Sequence, residues 1–220
     1  MHFKKLLLLI LSISLMVLFT ACNSQSTEEQ IHNHLEEAVT LEEEFEKQQS
    51  EITDLELKEQ EIYNQIIDLG MDDFETIKEL SNQALEIIEQ RKEKIGLEKD
   101  SIVSSKEEFN EIEALLDDIE NQELKDITES MYEVMNNRYS AYEDLNGAYT
   151  ESLKLEQELY ELLQQEDLEQ DRLTDQINSI NESYEQVLHS NEAFNNYTVE
   201  YNEFKKEFYE TADIAVSFEE

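Results

Sequence analysis

Apolar residues recur every three to four positions along most of this chain. Between residues 31 and 69 they form two series with a spacing of seven: Ile31, Ala38, Phe45, Ile52, Glu59, Ile66 and His34, Leu41, Gln48, Leu55, Ile62, Leu69. Nine of these twelve positions are apolar, and most residues between them are polar. This heptad pattern predicts a helix with a narrow apolar face, as in coiled coils.

Three further apolar series, over residues 74–119, 124–162 and 173–215, continue the pattern. Gly70 interrupts it first, the phase shifts by one residue near Asn121, and residues 164–170 (QQEDLEQ) form the last break. We therefore expect an all-α fold, an elongated antiparallel bundle of about four long coiled-coil-like helices. The alternative is a longer rod in which the Asn121 region is a kink rather than a turn.

Short turns between antiparallel helices also predict which residues lie level with each other. The numbers of opposed residues should sum to about 143 for the first two helices, about 242 for the second and third, and about 335 for the third and fourth.

Two arginines, Arg91 and Arg138, occupy core-facing positions of these series. A buried guanidinium requires a carboxylate partner, so we expect both arginines to fix the register of the helices rather than to bind a ligand. The acids expected near them are Glu51, Glu151, Glu37 and Glu108. On this interpretation Arg138→Leu alone would keep the fold.

The N-terminus has a different pattern. A basic MHFKK segment precedes a 14-residue apolar run at residues 6–19, and Thr20 and Ala21 follow it. This order predicts a secretory signal, and the run is shorter than the roughly 20 residues of a spanning helix. Cys22, the single cysteine, comes next and resembles the lipidated cysteine of a bacterial lipobox. A thiolate is nucleophilic enough to accept the lipid.

These features predict three regions. We expect a lipoprotein signal peptide at 1–21, a lipidated tether at 22–27 and a helical bundle domain at 28–217. Lipidation of Cys22 would hold the protein on the membrane, since two or more acyl chains anchor a protein stably. The alternative is an ordinary secreted protein with a stray thiol.

Composition limits the possible fold classes and the possible binding partners. The chain has 55 acidic and 16 basic residues, a net charge of −39, no proline, no tryptophan and three glycines. So few turn-forming residues argue against a β-sandwich or a wound α/β sheet. The negative charge excludes nucleic acid as a partner, because a polyanion must be met by a basic surface. It also opposes binding to anionic wall polymers.

The sequence contains no motif that indicates catalysis, a metal or a cofactor. Glu29 and His32 have the Glu-x-x-His spacing of a di-iron bundle, but no second such pair exists, and His34 and His189 are predicted to lie far apart. There is no glycine-rich phosphate loop. We therefore expect a protein that is not an enzyme.

Tyrosine is the one residue type that suggests a binding surface. Five tyrosines fall on one strip of the third helix: Tyr132, Tyr139, Tyr142, Tyr149 and Tyr160. The strip is either a wide apolar face that packs against the other helices or an exposed aromatic groove for a glycan or a partner helix. We favour packing.

Four stretches, LELKEQEIYNQIIDLGMDDFETI, EKDSIVSSKEEF, MNNRYSAYEDLNGAY and ELYELLQQEDL, together resemble the YkyA-like cell-wall-binding lipoproteins of low-GC Gram-positive bacteria. The resemblance implies a helical, non-enzymatic lipoprotein on the outer face of the cytoplasmic membrane, facing the cell wall. Its expected partners are the membrane, through the lipid on Cys22, and peptidoglycan or another envelope protein. The alternative function is a structural scaffold that pairs with another envelope protein or with itself.

Replacement of Cys22 tests the anchor. Without the thiol no lipid can be attached, so Cys22→Ser should be released or left uncleaved. Metabolic labelling with a fatty acid is expected to mark the wild-type protein and not the variant. Equal label on both proteins would refute the anchor.

Overall fold

The described part of the protein is built from helices. A computed structural model describes residues 25–69 and 73–215. Its elements are α1 (Thr27–Leu41), α2 (Glu43–Asp68), α3 (Phe74–Asn110), a 3-10 helix (Glu111–Asp118) that extends α3, α4 (Gln122–Leu162) and α5 (Gln170–Thr211). Neither range contains a strand. Because α1 and α2 together occupy the first predicted helix, the predicted all-α fold of four long helical rods is confirmed.

Neighbouring rods pack against each other in the order of the chain. Helix α2 packs on α3, α3 on α4 and α4 on α5, and α1 packs on the second half of α3 and on the 3-10 helix. The register is shown by three pairs of contacting residues: Glu51–Lys94, Ser105–Tyr139 and Arg138–Thr198. Their numbers sum to 145, 244 and 336. The predicted register therefore agrees with the structure to within two residues at these contacts.

The turn near Asn121 is a true helix boundary. Asn121 is the N-cap of α4, and its side-chain oxygen accepts hydrogen bonds from the backbone N–H groups of Glu123 and Leu124 at 2.9 and 3.2 Å. The kink alternative is thus wrong. The predicted turn at Gly70 lies outside the described residues.

Two details of the rods differ from the sequence prediction. The second rod was expected to be α-helical to residue 119, but its last part is the 3-10 helix. Apolar residues spaced by three, Ile112 with Leu115 and Leu116 with Ile119, share a face in a helix of three residues per turn. The first rod is interrupted at Glu42, which joins α1 to α2.

A serine from another helix accounts for this interruption. In an unbroken helix the Phe45 N–H would bond the Leu41 carbonyl. Here the Ser101 hydroxyl stands between them: it donates to the Leu41 carbonyl at 2.6 Å and accepts from the Phe45 N–H at 3.2 Å. Insertion of a side chain into the helical hydrogen-bond ladder is a recognised cause of a bend.

The interruption brings the Glu42 carboxylate to Arg138. The two side chains form a bidentate ion pair, with Nη1–Oε1 at 2.8 Å and Nη2–Oε2 at 2.7 Å. Arg138 Nε donates to Thr198 Oγ1 at 2.9 Å, and Ser105 Oγ donates to Glu42 Oε1 at 2.8 Å. All four rods therefore meet at this buried pair. The acids predicted to accompany Arg138, Glu37 and Glu108, do not form it.

Among the residues that the structure describes, buried apolar side chains form two clusters along the bundle. One is centred on Phe109, Tyr139 and Phe208, and the other joins α2 and the first half of α3 to Leu153 and Tyr160 of α4. Within residues 25–69 and 73–215, no helix has the length and apolar content that crossing a membrane requires.

The Arg138–Glu42 pair provides a stability test. Both side chains are largely buried, with exposed fractions of 7% and 16%, so Arg138→Leu leaves an uncompensated carboxylate. Because of this geometry, we no longer expect Arg138→Leu alone to be tolerated. We expect the variant to lose about 3 kcal/mol of unfolding free energy. Urea unfolding followed by circular dichroism measures it.

The double variant Arg138→Leu/Glu42→Leu is the control. It removes both charges, so it should recover most of the lost stability. A single variant as stable as the wild type would show that the pair does not hold the rods together.

Candidate functional site

A pocket of about 540 Å³ opens between α2 and α5. In the described part of the chain no Cα atom of α2 lies within 8 Å of one in α5, so the two helices stand apart. Helix α4 and Arg91 of α3 form the floor of the pocket. The pocket is therefore a cleft between rods that are not neighbours in the bundle.

The two halves of α5 differ in burial at this cleft. In the first half of α5 one residue, Ile180, is buried, whereas the second half buries Phe194, Tyr201, Phe208 and Tyr209. The apolar side chains Ile177, Ile180 and Val187 of the first half line the pocket.

Arg91 is the centre of the pocket floor. Its side chain is 4% exposed and binds acids from two helices. Nη1 donates to Glu156 Oε2 at 2.6 Å and to the Glu59 carboxylate, and Nη2 lies 3.3 Å from Glu56 Oε1. Nε donates to the Tyr149 hydroxyl at 2.9 Å. All three nitrogens of the guanidinium therefore have partners.

Tyrosines surround these carboxylates. The Tyr149 hydroxyl donates to Glu56 Oε1 at 2.7 Å, and the Tyr184 hydroxyl donates to Glu156 Oε1 at 2.5 Å. Burial is the first cause that raises the pKa of both phenols well above the ordinary value. Their hydroxyl groups therefore remain protonated and act as donors. Tyr63 and Tyr160 complete the aromatic lining.

The pocket holds more negative than positive charge. Burial, and then repulsion from Glu156, raises the pKa of Glu59 to about 7, although Arg91 opposes this shift. Burial also raises the pKa of Glu156. Burial alone would lower the pKa of Arg91, but Glu156, Tyr149 and Glu59 outweigh it, so Arg91 stays charged.

This arrangement is suited to binding rather than to proton transfer. Glu59 and Glu156 are both buried and both bonded to Arg91 Nη1, so neither is presented to a ligand as a free acid or base. Glu56 is the accessible carboxylate, with 43% of its side chain exposed. The tyrosine rings and aliphatic side chains supply the contact surface.

The predicted position of Arg91 agrees with this geometry, but its predicted partners are wrong. The predicted register sums place Ser152 and Tyr184 about level with Arg91, and both line the same pocket. Glu51 instead binds Lys94 at 2.5 Å, and Glu151 binds Lys154 at 3.2 Å.

The actual partners, Glu56, Glu59 and Glu156, escaped the sequence analysis. Glu59 gave a usable signal, because it stands at an otherwise apolar heptad position. Nothing in the sequence distinguishes Glu56 and Glu156 from the many other acidic residues.

The tyrosine strip does not form a continuous exposed groove. Tyr139, Tyr142 and Tyr160 are at most 2% exposed, because they fill the space between rods. Tyr132 is half-buried and stacks on Phe109, with ring centroids 5.6 Å apart. Tyr149 and Tyr160 line the pocket from inside the bundle. The alternative of an exposed groove along the whole strip is therefore wrong, because only these two tyrosines of the strip contribute to the cleft.

The histidines of α1 have structural partners. His34 Nδ1 lies 2.6 Å from Glu108 Oε1, and the His32 ring packs edge-on against Tyr209. Glu29 caps α1 through Ser26. Over the described ranges no three His, Cys, Asp or Glu side chains are grouped to hold a metal ion. Cys22 lies outside these ranges, so its lipidation stays a prediction.

Comparisons with known proteins give the family and the fold. Residues 26–211 match the YkyA family, described as "Putative cell-wall binding lipoprotein". The "Uncharacterized lipoprotein YkyA" of Bacillus subtilis (strain 168) is 33% identical over 129 residues, which are 59% of this chain and 58% of the relative. The match thus spans less than two thirds of that relative.

A solved structure has the same fold. It is the crystal structure of a "Conserved Protein of Unknown Function from Staphylococcus aureus", with a TM-score of 0.74 and 15% identity. The similarity covers 86% of this chain and 98% of that one.

The buried acids of the pocket predict a pH dependence of stability. The folded-state pKa of Glu59 lies above its ordinary 4.5, so the folded protein holds more protons between about pH 4.5 and 7. The free energy of unfolding should therefore fall as the pH rises through this window. The Glu59→Gln variant has no carboxyl group at this position, so it should lack this fall in unfolding free energy. Its amide oxygen can still accept a hydrogen bond from Arg91.

Relative to the wild type, we expect Glu59→Gln to gain about 1 to 3 kcal/mol between pH 5 and pH 8. Urea unfolding at several pH values measures the gain. Glu61→Gln, which removes an exposed charge from the same helix, should show no such gain. If the difference in unfolding free energy between Glu59→Gln and the wild type does not change with pH, the buried-acid interpretation is contradicted.

Proposed function

This chain belongs to the YkyA family, and on that premise we propose that it is a non-enzymatic, membrane-anchored lipoprotein that binds a cell-wall component in the cleft between α2 and α5. The observation that carries the proposal is the pocket itself. It combines four tyrosines with aliphatic side chains and one accessible carboxylate. A tyrosine combines an apolar ring with a hydroxyl group that forms hydrogen bonds, which suits contact with a polar polymer that also has apolar faces.

The proposed anchor is the lipid on Cys22, after removal of residues 1–21. The proposed tether, residues 22–27, overlaps the start of α1, which begins at Thr27. The pocket residue Glu56 lies 29 residues farther along the first rod, or about 40 Å at 1.5 Å per residue. A rod that stands on the outer face of the cytoplasmic membrane would hold the pocket towards the wall.

The charge of the protein limits which wall component it can bind. Removal of Lys4 and Lys5 with the signal changes the net charge from −39 to −41. Such a rod is repelled by anionic polymers. The proposed ligand is therefore the peptidoglycan rather than the anionic polymers attached to it.

Purified wall tests this proposal. The chain from Asn23 to Glu220 should sediment with peptidoglycan stripped of anionic polymers, and less with untreated wall at low salt. Magnesium should reduce the difference between the two walls, since it screens and bridges the negative charges.

Two tyrosine variants locate the site. Tyr63→Leu removes a ring from the pocket and should lower binding, whereas Tyr132→Leu alters a tyrosine outside the pocket and should not. Failure of the wild type to bind stripped wall would overturn the proposal. Binding only to another envelope protein or to a second copy would favour the scaffold function, for which the exposed Leu57 in the pocket lining and the exposed Leu188 of α5 are candidate contacts.

A further inference from the structure

We infer that the group bound in this pocket is a protonated primary amine carried on an aliphatic stem. The inference rests on the proposed function and specifies the chemistry of its ligand. Arg91 is the cation among the described residues that line the pocket. Each of its nitrogens already donates to Tyr149, Glu56, Glu59 or Glu156. Four of its five N–H groups are therefore used and its side chain is 4% exposed, so Arg91 is poorly placed to hold an anionic ligand.

The charge of the lining favours a cation. Three carboxylates face one guanidinium, and the whole chain carries 55 acidic against 16 basic residues. An incoming carboxylate or phosphate would meet Glu56 at the opening, 43% exposed. An ammonium group at the same place donates a charge-assisted hydrogen bond to Glu56. It also offsets the unpaired negative charge of the floor.

The aromatic walls favour the same ligand. A cation within about 6 Å of a tyrosine ring centroid is attracted by the negative face of the ring. Arg91 already uses this geometry, with its guanidinium carbon 5.2 Å from the centroid of Tyr149. Tyr63 and the 42%-exposed Tyr184 line the pocket from opposite helices, α2 and α5. An ammonium group entering between these helices therefore meets aromatic side chains from both.

The aliphatic part of the pocket fits the stem that carries the amine. Leu57, Ile177 and Val187 line the cleft, and 56% of Leu57 is exposed. Burial of methylene groups against them removes apolar surface from water and so favours binding. Amines of this kind occur in the diamino residues of stem peptides and in aminoacyl esters on anionic polymers. Stripped peptidoglycan retains the first source and loses the second.

Chemical modification of the wall tests the amine. Acetylation removes the positive charge, whereas reductive dimethylation keeps it. We expect the full mature chain to bind untreated and dimethylated stripped peptidoglycan, and to bind the acetylated form at least tenfold more weakly. Equal binding to all three forms would overturn the inference and leave wall binding intact, as expected for a neutral glycan ligand. No binding to the untreated form would overturn the proposed function instead.

A matched pair of variants locates the effect in the pocket. Glu56→Gln removes the accessible carboxylate, and Glu61→Gln removes an exposed one from the same helix outside the pocket. The two variants have the same net charge, so general repulsion by the wall is equal. Glu56→Gln should bind untreated stripped wall about tenfold more weakly than Glu61→Gln, with both variants as helical as the wild type. Equal binding by the two variants would contradict the inference.

A soluble probe gives an independent measurement. Mono-N-acetyl-1,5-diaminopentane carries one ammonium group on a five-carbon stem, and its diacetyl form carries none. Titration of the intact mature protein, followed by nuclear magnetic resonance, should shift the signals of pocket tyrosines with the monoacetyl form only. Equal shifts with the diacetyl form would show that the pocket selects the stem and not the charge.

Discussion

The burial of two arginines among four helical rods is the constraint on which the rest of this structure depends. A guanidinium removed from water requires carboxylates and hydrogen-bond acceptors around it, and one helix cannot supply them all. Arg138 is met by Glu42, Thr198 and the aromatic ring of Phe194, whose centroid is 4.6 Å away. Arg91 and Ser105, which mark the two arginine sites on α3, lie 14 residues apart, or roughly 20 Å. A shift of one rod by a single turn would disrupt both sites.

The two sites differ in charge balance, and this difference distinguishes the structural pair at Arg138 from the proposed binding pocket at Arg91. Arg138 has one bidentate carboxylate and is enclosed by all four rods. Arg91 has three carboxylates and lies beneath a cleft that α2 and α5 leave open. Excess negative charge is tolerated there because Glu56 reaches solvent and Glu59 takes up a proton more readily than an ordinary carboxyl group. Pairing between arginine and carboxylate thus stabilises the bundle at Arg138 and forms the polar floor of the pocket at Arg91.

The sequence predicted the rods and their register well, because heptad spacing reports which side of a helix faces inward. It predicted the side-chain partners poorly. An arginine side chain reaches across more than one helical turn, so Arg91 pairs with Glu56 and Glu59, which were not predicted, rather than with Glu51. The break at Glu42 depends on Ser101, a residue of another helix. The pocket depends on two rods that are not neighbours, which periodicity within each rod does not describe.

The hydroxyl of Ser101 couples three rods at the α1–α2 junction. The hydrogen-bond ladder of α1 is continuous as far as Leu41. There it passes through a side chain of α3, and the next residue, Glu42, is held by Arg138 of α4. A pull on the N-terminal end of α1 would therefore load α3 and α4 as well as α2.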